Sequence, residues 1–377
     1  MKNTGGSVPT SKRVSRRFVG TAVSLVVLTA TLALPVLGQK AKGNLTVMTY
    51  NVNEGTDFLQ VLSATNATQF LLGVGDIVTQ VQGTNPPERM QAVAAQILAA
   101  HPTLVSLQEV DQWYLGTFDP LAGTCGTMSL EYDMLAELTA ALAAQGGHYQ
   151  VVLNVPEITL PATPGLILPG TFLCASVTDH NVILARSDLN PRGFRLSNAQ
   201  SGQFVAAVPF TTPFGTVPIT RSWASVDVQF HESTFRFIGT HLESFVPPVR
   251  EAQGAELRAG PANTALPVIV AMDSNAQAFP LPQDPTYVDF MTSGYHDVWS
   301  EIFPSAPGLT CCQNESDNNP VSELYQRIDV ILTLGNVEGQ NIALFGADPS
   351  TRTADGLWPS DHAGVAASVT IEEGDDD

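Results

Sequence analysis

The chain has 377 residues, with 17 Lys and Arg against 36 Asp and Glu and a net charge of −19. That length allows one large α/β domain with a sizeable core, and the acidity argues against a protein that grips polyanions through broad basic surfaces. Five bases and no acid precede Gln39, so the remainder carries 12 bases, 36 acids and a net −24, with its bases placed singly.

Lys2, Lys12, Arg13, Arg16 and Arg17 precede an uncharged apolar run from Phe18 to Leu37, the layout of an export signal. Val36 and Gly38 supply small residues for cleavage before Gln39. Ser15-Arg16-Arg17-Phe18 loosely resembles a twin-arginine signal, and an uncleaved anchor is the alternative, since the run is about long enough to span a bilayer. The expected organisation is a signal at 1–38, one domain at 39–371 and an acidic disordered tail at 372–377. The mature protein is expected to be monomeric and periplasmic or extracellular, with no transmembrane segment. Four cysteines in an exported chain imply two disulfides, with three possible pairings. Cys125–Cys174 with a vicinal Cys311–Cys312 bridge is the pairing we expect.

Residues 44–50 alternate and run into Asn51-Val52-Asn53-Glu54-Gly55, so a first strand ends on amides. Residues 56–85, with Gly73 and Gly75 inside and Pro86-Pro87 closing them, read as a loop-rich insertion. Glu88 to Ala100 is a helix by the spacing of Met90, Val93, Ala94, Ile97 and Leu98. Leu104 to Leu107 is a strand finishing on Gln108-Glu109. A strand, helix and strand in this order place Asn51 and Glu109 at one sheet edge. Ser129 to Gln145 reads as a helix, Tyr149 to Leu153 as a strand, Pro156 to Pro169 as a proline-rich loop and His180 to Arg186 as a strand. Arg221 to Phe230 and Phe235 to Gly239 form an antiparallel hairpin running into Thr240-His241-Leu242-Glu243. A helix over Arg250 to Ala259 leads to Leu266–Ala276, a strand apolar on both faces that ends on Asp273-Ser274-Asn275. Asp297 to Trp299, Arg327 to Leu332 and Gly364 to Ile371 are further strand material, the last introduced by Ser360-Asp361-His362.

The strand ends thus offer Asn51, Glu109, His241, Asp273, Asn275, Asp329, Asp361 and His362. Carboxylates with few close histidines suit a hard cation rather than zinc. Magnesium accepts one or two carboxylates and keeps waters, leaving room for a phosphate oxygen. Histidines beside such a metal can move protons or stabilise developing charge, and a carboxylate behind a histidine fixes its tautomer. Glu54 and Glu243 read as solvated, and His101, His148, His231 and His296 as surface or loop residues.

YNVN (Tyr50 to Asn53), LQEV (Leu107 to Val110), THLES (Thr240 to Ser244), AMDSN (Ala271 to Asn275), RIDVIL (Arg327 to Leu332) and SDH (Ser360 to His362) follow one another in this order. Together they resemble the endonuclease/exonuclease/phosphatase superfamily, which includes DNase I-like nucleases, neutral sphingomyelinases and inositol polyphosphate 5-phosphatases. The resemblance implies a DNase I-like, four-layered α/β sandwich of two mixed β-sheets flanked by helices. It implies Glu109 as the principal metal ligand, with Asn51 beside it and Asp361 near the metal. It further implies Asp273 orienting the attacking water, Asn275 holding the phosphate, His362 paired to Asp329, and His241 as the second catalytic histidine. Met272 and Ser274 depart from the family's usual Gly-Asp-Phe-Asn pattern. His180, Asn181 and Arg186 stand as substrate-side candidates.

The reading is an exported phosphoester hydrolase, foremost a phosphodiesterase, using Mg2+ with Mn2+ or Ca2+ as alternatives. A small or lipid diester is favoured as substrate, nucleic acid is the lesser option, and no stable nucleic-acid partner is expected. The rivals are a secreted DNase I-like nuclease and a catalytically silent binding module on the same fold.

Overall fold

The computed structural model describes residues 45–213 and 215–371; the expected signal at 1–38 and tail at 372–377 lie outside the described residues. Strand β1 (Leu45–Asn51) leads through α1 (Leu59–Leu62), α2 (Ala67–Gly83) and α3 (Pro86–Ala100) to β2 (Leu104–Gln108). β2 lies parallel beside β1, with Asn51 opposite Gln108. The expected strand, helix and strand unit is present. The insertion is corrected: residues 56–85 are mostly helix rather than loop. α2 buries Phe70, Val74, Ile77, Val78 and Val81 along one face. Gly73 and Gly75 interrupt that stripe because backbone comes close there, and a Cβ on Gly75 would strike the Leu166 carbonyl.

β3 (Gln112–Asp119) and β4 (Thr124–Asp133) form an antiparallel hairpin that the sequence reading missed. Ser129 to Asp133 therefore belongs to a strand, and α4 (Met134–Ala144) begins only after Asp133, whose carboxylate accepts from the Ala136 amide. β5 (Tyr149–Ile167) continues through most of the stretch read as a proline-rich loop. Its register against β6 (Thr171–Arg186) breaks at three places, and β5 pairs with β6 alone, the edge-and-bulge setting in which a strand tolerates proline.

β7 (Phe194–Gln203) is followed by the small β8 (Val208–Thr212) and β9 (Gly215–Ile219) ribbon. The expected hairpin is β10 (Ser222–Phe230) with β11 (Ser233–His241). After α5 (Pro247–Ala259), β12 (Val268–Asp273) is buried at every position. α6 (Pro285–Thr292) precedes β13 (His296–Asp297), and Asp297 then caps α7 (Val298–Ile302), so Val298 and Trp299 are helical rather than strand. β14 (Asp329–Leu334), β15 (Val337–Phe345) and β16 (Gly364–Ile371) complete the sheets.

One sheet runs β15-β16-β1-β2-β6-β3-β4 with β5 alongside β6, and the other β13-β14-β12-β11-β10-β7. Both mix parallel and antiparallel pairs. Side chains from the two inner faces, among them Val47, Ile183, Val226, Phe237, Ile269 and Ile331, form one core. α3 and α4 pack on the outside of the first sheet through Met90, Val93, Met134 and Leu138. Leu257 of α5 and Phe290 of α6 cover the outside of the second. The result is a four-layered α/β sandwich with two mixed sheets at its centre. Both expected disulfides, Cys125–Cys174 and Cys311–Cys312, are formed. Among the described residues no helix is long and apolar enough to cross a membrane.

Candidate active site

β1 and β2 from one sheet and β11, β12 and β14 from the other end at a common edge. His241 pairs with Asp273, and Asp273 with Asp329, across three neighbouring strands. Glu109 and Asn275 sit in the left-handed backbone region just past their strands, at φ of 58° and 49°. Each strand breaks off there and turns its next polar side chain into the cleft.

Buried Arg89 fixes the exit of β1. Its guanidinium donates to the carbonyls of Val52 (2.7 Å), Asn53 (2.9 Å) and Thr84 (2.9 Å) and lies 3.5 Å from Asp317. Asn53 donates to Asp317 at 3.0 Å. Ser360 ties the Asp361-His362 loop to the same place by donating to the Asn51 carbonyl. Thr310, next to the vicinal disulfide, accepts from the amides of Ile328 and Asp329, while the Ala363 amide donates to its carbonyl. The cysteine loop therefore braces the site.

Asn51 donates to Glu109 Oε1 at 2.8 Å and to Asp273 Oδ2 at 3.0 Å, while its own Oδ1 accepts from the Asn53 amide. Glu109 Oε2 accepts from the Glu54 amide. Ligand atoms of Glu109, His241 and Asp273 fall within 4.8 Å of one another, as do those of Asp273, Asp329 and His362. Two carboxylate oxygens converging on one amide mark a place that calls for positive charge, and oxygen donors of this kind fit a hard divalent cation. Asp361 belongs to neither three-ligand group, so its metal role lacks the support that Glu109 and Asp273 have. Its hydroxyl contact is Ser360, 3.5 Å away, and burial pushes its carboxyl up to about 7 despite His362 beside it.

His362 Nδ1 lies 2.8 Å from Asp329 Oδ2, and its Nε2 is 3.9 Å from Asp273. Burial works against an imidazolium here, but Asp329, then Asp361 and Asp273, outweigh it and hold His362 well above the usual histidine range. Burial likewise opposes the charge on Asp273, yet the two histidines and Asn51 keep its carboxyl below its ordinary value. His241 stands between Asp273, 3.5 Å from Nε2, and Glu157, 3.3 Å from Nδ1. Burial and Arg221 lower its pKa, but the two acids raise it more. Asn275 Nδ2 approaches His241 Nε2 at 2.9 Å and donates to the Leu242 carbonyl at 3.0 Å.

All eight candidates thus lie along one cleft. Of the substrate-side candidates, Asn181 is buried and donates to Glu157 and the Ser222 carbonyl, and His180 bonds the Val110 carbonyl. Arg186 is corrected: it lies at the far end of β6, paired with Asp188. Glu243 is buried rather than solvated, its carboxylate accepting from the Phe245 amide. Arg327 pairs with Asp297 beneath the site.

Glu157 and Arg221 were missed. Glu157 hides in the stretch misread as loop, and Arg221 only opens a hairpin. Their signal is positional: Glu157 enters on β5 beside Asn181, and Arg221 stands just before β10 beside His241. Burial opposes the charge of Glu157, but Arg221 at 3.1 Å and His241 bring its pKa down to about 2.

No protein-family model and no curated protein matches the sequence. Solved structures do match the fold. An endonuclease/exonuclease/phosphatase family protein from Bacteroides thetaiotaomicron superposes with a TM-score of 0.54 at 15% identity, covering 88% of this chain and 99% of that one. A mannosyl-6-phosphatase from Bacteroides thetaiotaomicron VPI-5482 gives 0.52 at 16% identity, over 87% and 100% of the two chains. An endonuclease/exonuclease/phosphatase from Beutenbergia cavernae DSM 12333 gives 0.51 at 21% identity, over 87% and 72%. The protein folds as an endonuclease/exonuclease/phosphatase sandwich, with its polar strand ends gathered at one edge.

Proposed function

We propose that this chain is an exported, divalent-metal-dependent phosphodiesterase that hydrolyses its substrate by in-line attack of water on phosphorus. The observation that carries this reading is the meeting of Glu109, His241 and Asp273 with the Asp329–His362 pair in one cleft. A divalent cation held by Glu109 and Asp273, with Asn51 beside them, would supply Lewis acidity toward a phosphoryl oxygen. The chain's own groups divide the remaining work. Asp273, kept ionised, accepts a hydrogen bond from the attacking water and orients it. His362, kept protonated by Asp329, faces the charge that develops on the phosphoryl oxygens, as does His241. Asn275 offers its amide to a phosphate oxygen.

Two observations favour a lipid diester over duplex DNA. Among the described residues only Arg192 and Arg195 are exposed bases, whereas Arg89, Arg250 and Arg327 are buried in ion pairs. A backbone-gripping nuclease needs many free cations. Next to the cleft lies an apolar cavity of about 200 Å³, lined by Phe58, Val61, Phe70, Val74, Trp113 and Phe210, among others. Trp113 donates to the Glu54 carbonyl and Glu54 donates to Glu109, so one residue joins the cavity wall to the cleft. An apolar chain attached to a phosphodiester would lie there.

Hydrolysis by the mature protein with added Mg2+, Mn2+ or Ca2+ should be measured on a sphingolipid diester, a chromogenic diester, a sugar phosphate and plasmid DNA. The lipid diester should turn over fastest and EDTA should stop it. Plasmid cleavage at physiological salt exceeding every small or lipid diester would install the nuclease reading, and preference for the sugar phosphate would make the protein a phosphomonoesterase.

A further inference from the structure

Behind the cleft runs a row of acids that hydrolysis does not use. Glu54 follows β1, Asp111 stands two residues past Glu109, and Asp179 lies in β6. One carboxylate oxygen from each falls within 4.8 Å of the other two. Asp111 is fully buried and neither of its oxygens has a hydrogen-bond partner; Asp179 is 2% exposed and its Oδ1 has none. An uncompensated carboxylate in such a place costs several kcal/mol, so positive charge must arrive as protons or as a cation.

The neighbouring cations are already committed. Arg221 is bonded to Glu157 at 3.1 Å and stands 3.8 Å from Asp179 Oδ2, and His241 lies between Glu157 and Asp273. Glu54, Glu109, Asp111, Glu157 and Asp179 thus share one guanidinium and one imidazole.

We propose that Glu54, Asp111 and Asp179 form a second binding site for a hard divalent cation, separate from the Glu109 site. Three convergent carboxylates with free oxygens match the all-oxygen preference of calcium. The occupant would bind together the exits of β1 and β2 and the middle of β6. Because the Glu54 amide donates to Glu109, it would also steady the catalytic carboxylate from behind.

Calorimetric titration of the metal-stripped protein with CaCl2 and with MnCl2 tests this without turnover, so the outcome is independent of the hydrolase reading. Wild type should take two ions per chain, Glu109→Gln one, Asp111→Asn one, and the double variant none. Asp111→Asn keeps the side-chain volume and relieves repulsion, and a circular-dichroism melt checks its fold. Glu54→Gln, at the half-buried rim, makes the same test if Asp111→Asn does not fold. Loss of an ion in either variant, together with a calcium-dependent rise in melting temperature that survives Glu109→Gln, supports the site. Equal stoichiometry in wild type and both variants, or no calcium response in Glu109→Gln, overturns it and leaves the three acids sharing protons.

Discussion

The strand-end cleft and the apolar arm beside it are built on opposite terms. In the cleft the polar groups hold one another: Asn51 bridges Glu109 and Asp273, Asp329 holds His362, and Ser360 holds the Asn51 backbone. In the arm, α1, α2, the outer reach of β5 and β6 and the β8–β9 ribbon enclose a cavity by apolar contact, with few polar ties. The cleft therefore has one workable arrangement, whereas the arm can change its lining and still fold. Chemistry should depend on the first region and choice of substrate on the second.

The sharpest test of that division is Glu109→Gln. Turnover of every phosphoester should fall to background, while the folding transition stays within about 0.5 kcal/mol of wild type, because the change leaves the volume intact and removes one charge from a crowded acidic region. Full activity of the variant, or of wild type in EDTA, would remove Glu109 from the metal site. His362→Ala should follow, with a loss on the order of 10²–10⁴-fold in kcat. Asp329→Ala should lose less, since the imidazole remains without its positioning partner. A wild-type rate in Asp329→Ala beside a dead His362→Ala would break the pairing and spare the histidine.

A third test stays in the cleft but reads stability. Folding lowers the pKa of Glu157 from 4.5 to about 2, so its contribution is complete above pH 4.5 and vanishes as pH falls towards 2. The shift corresponds to something on the order of 3 kcal/mol for this fully buried group. Denaturant titrations from pH 6 to pH 2.5 should show wild type losing stability that Glu157→Gln never had. Parallel curves for the two proteins would detach Glu157 from Arg221 and His241.

The same contrast explains what could be read from the sequence. Asn51, Glu109 and Asp273 stood out because each follows a short apolar run, and His362 because it introduces one; a polar residue at the end of a buried strand needs a reason. α2 was hidden because Gly73 and Gly75, needed where Gln60 and Leu166 approach, look like breakers outside their packing context. β5 was hidden by prolines that an edge strand with bulges tolerates. Glu157, Asp111 and Asp179 carry no local mark. Only the folded sheet brings Glu157 and Asp179 beside Arg221 and His241, and Asp111 beside Asp179, and tertiary convergence of that kind has no period in sequence.

The smallest effect expected lies in the arm. Val217 sits half-buried on β9 at the rim of the apolar cavity. Val217→Trp would fill the mouth from a ribbon that pairs only with itself, so the sandwich core should be undisturbed. Losing access for two or three methylenes of a substrate chain removes about 2 kcal/mol of apolar burial, a fall of some 10- to 30-fold in kcat/KM. The loss should appear as a higher KM for a long-chain lipid diester. A soluble chromogenic diester should be unaffected, because it has no chain to place in the arm. Equal losses on both substrates would mean that the substitution had reached the cleft through Trp113 and Glu54. No loss on either would mean that the apolar chain lies elsewhere, leaving the cavity to the packing of α2.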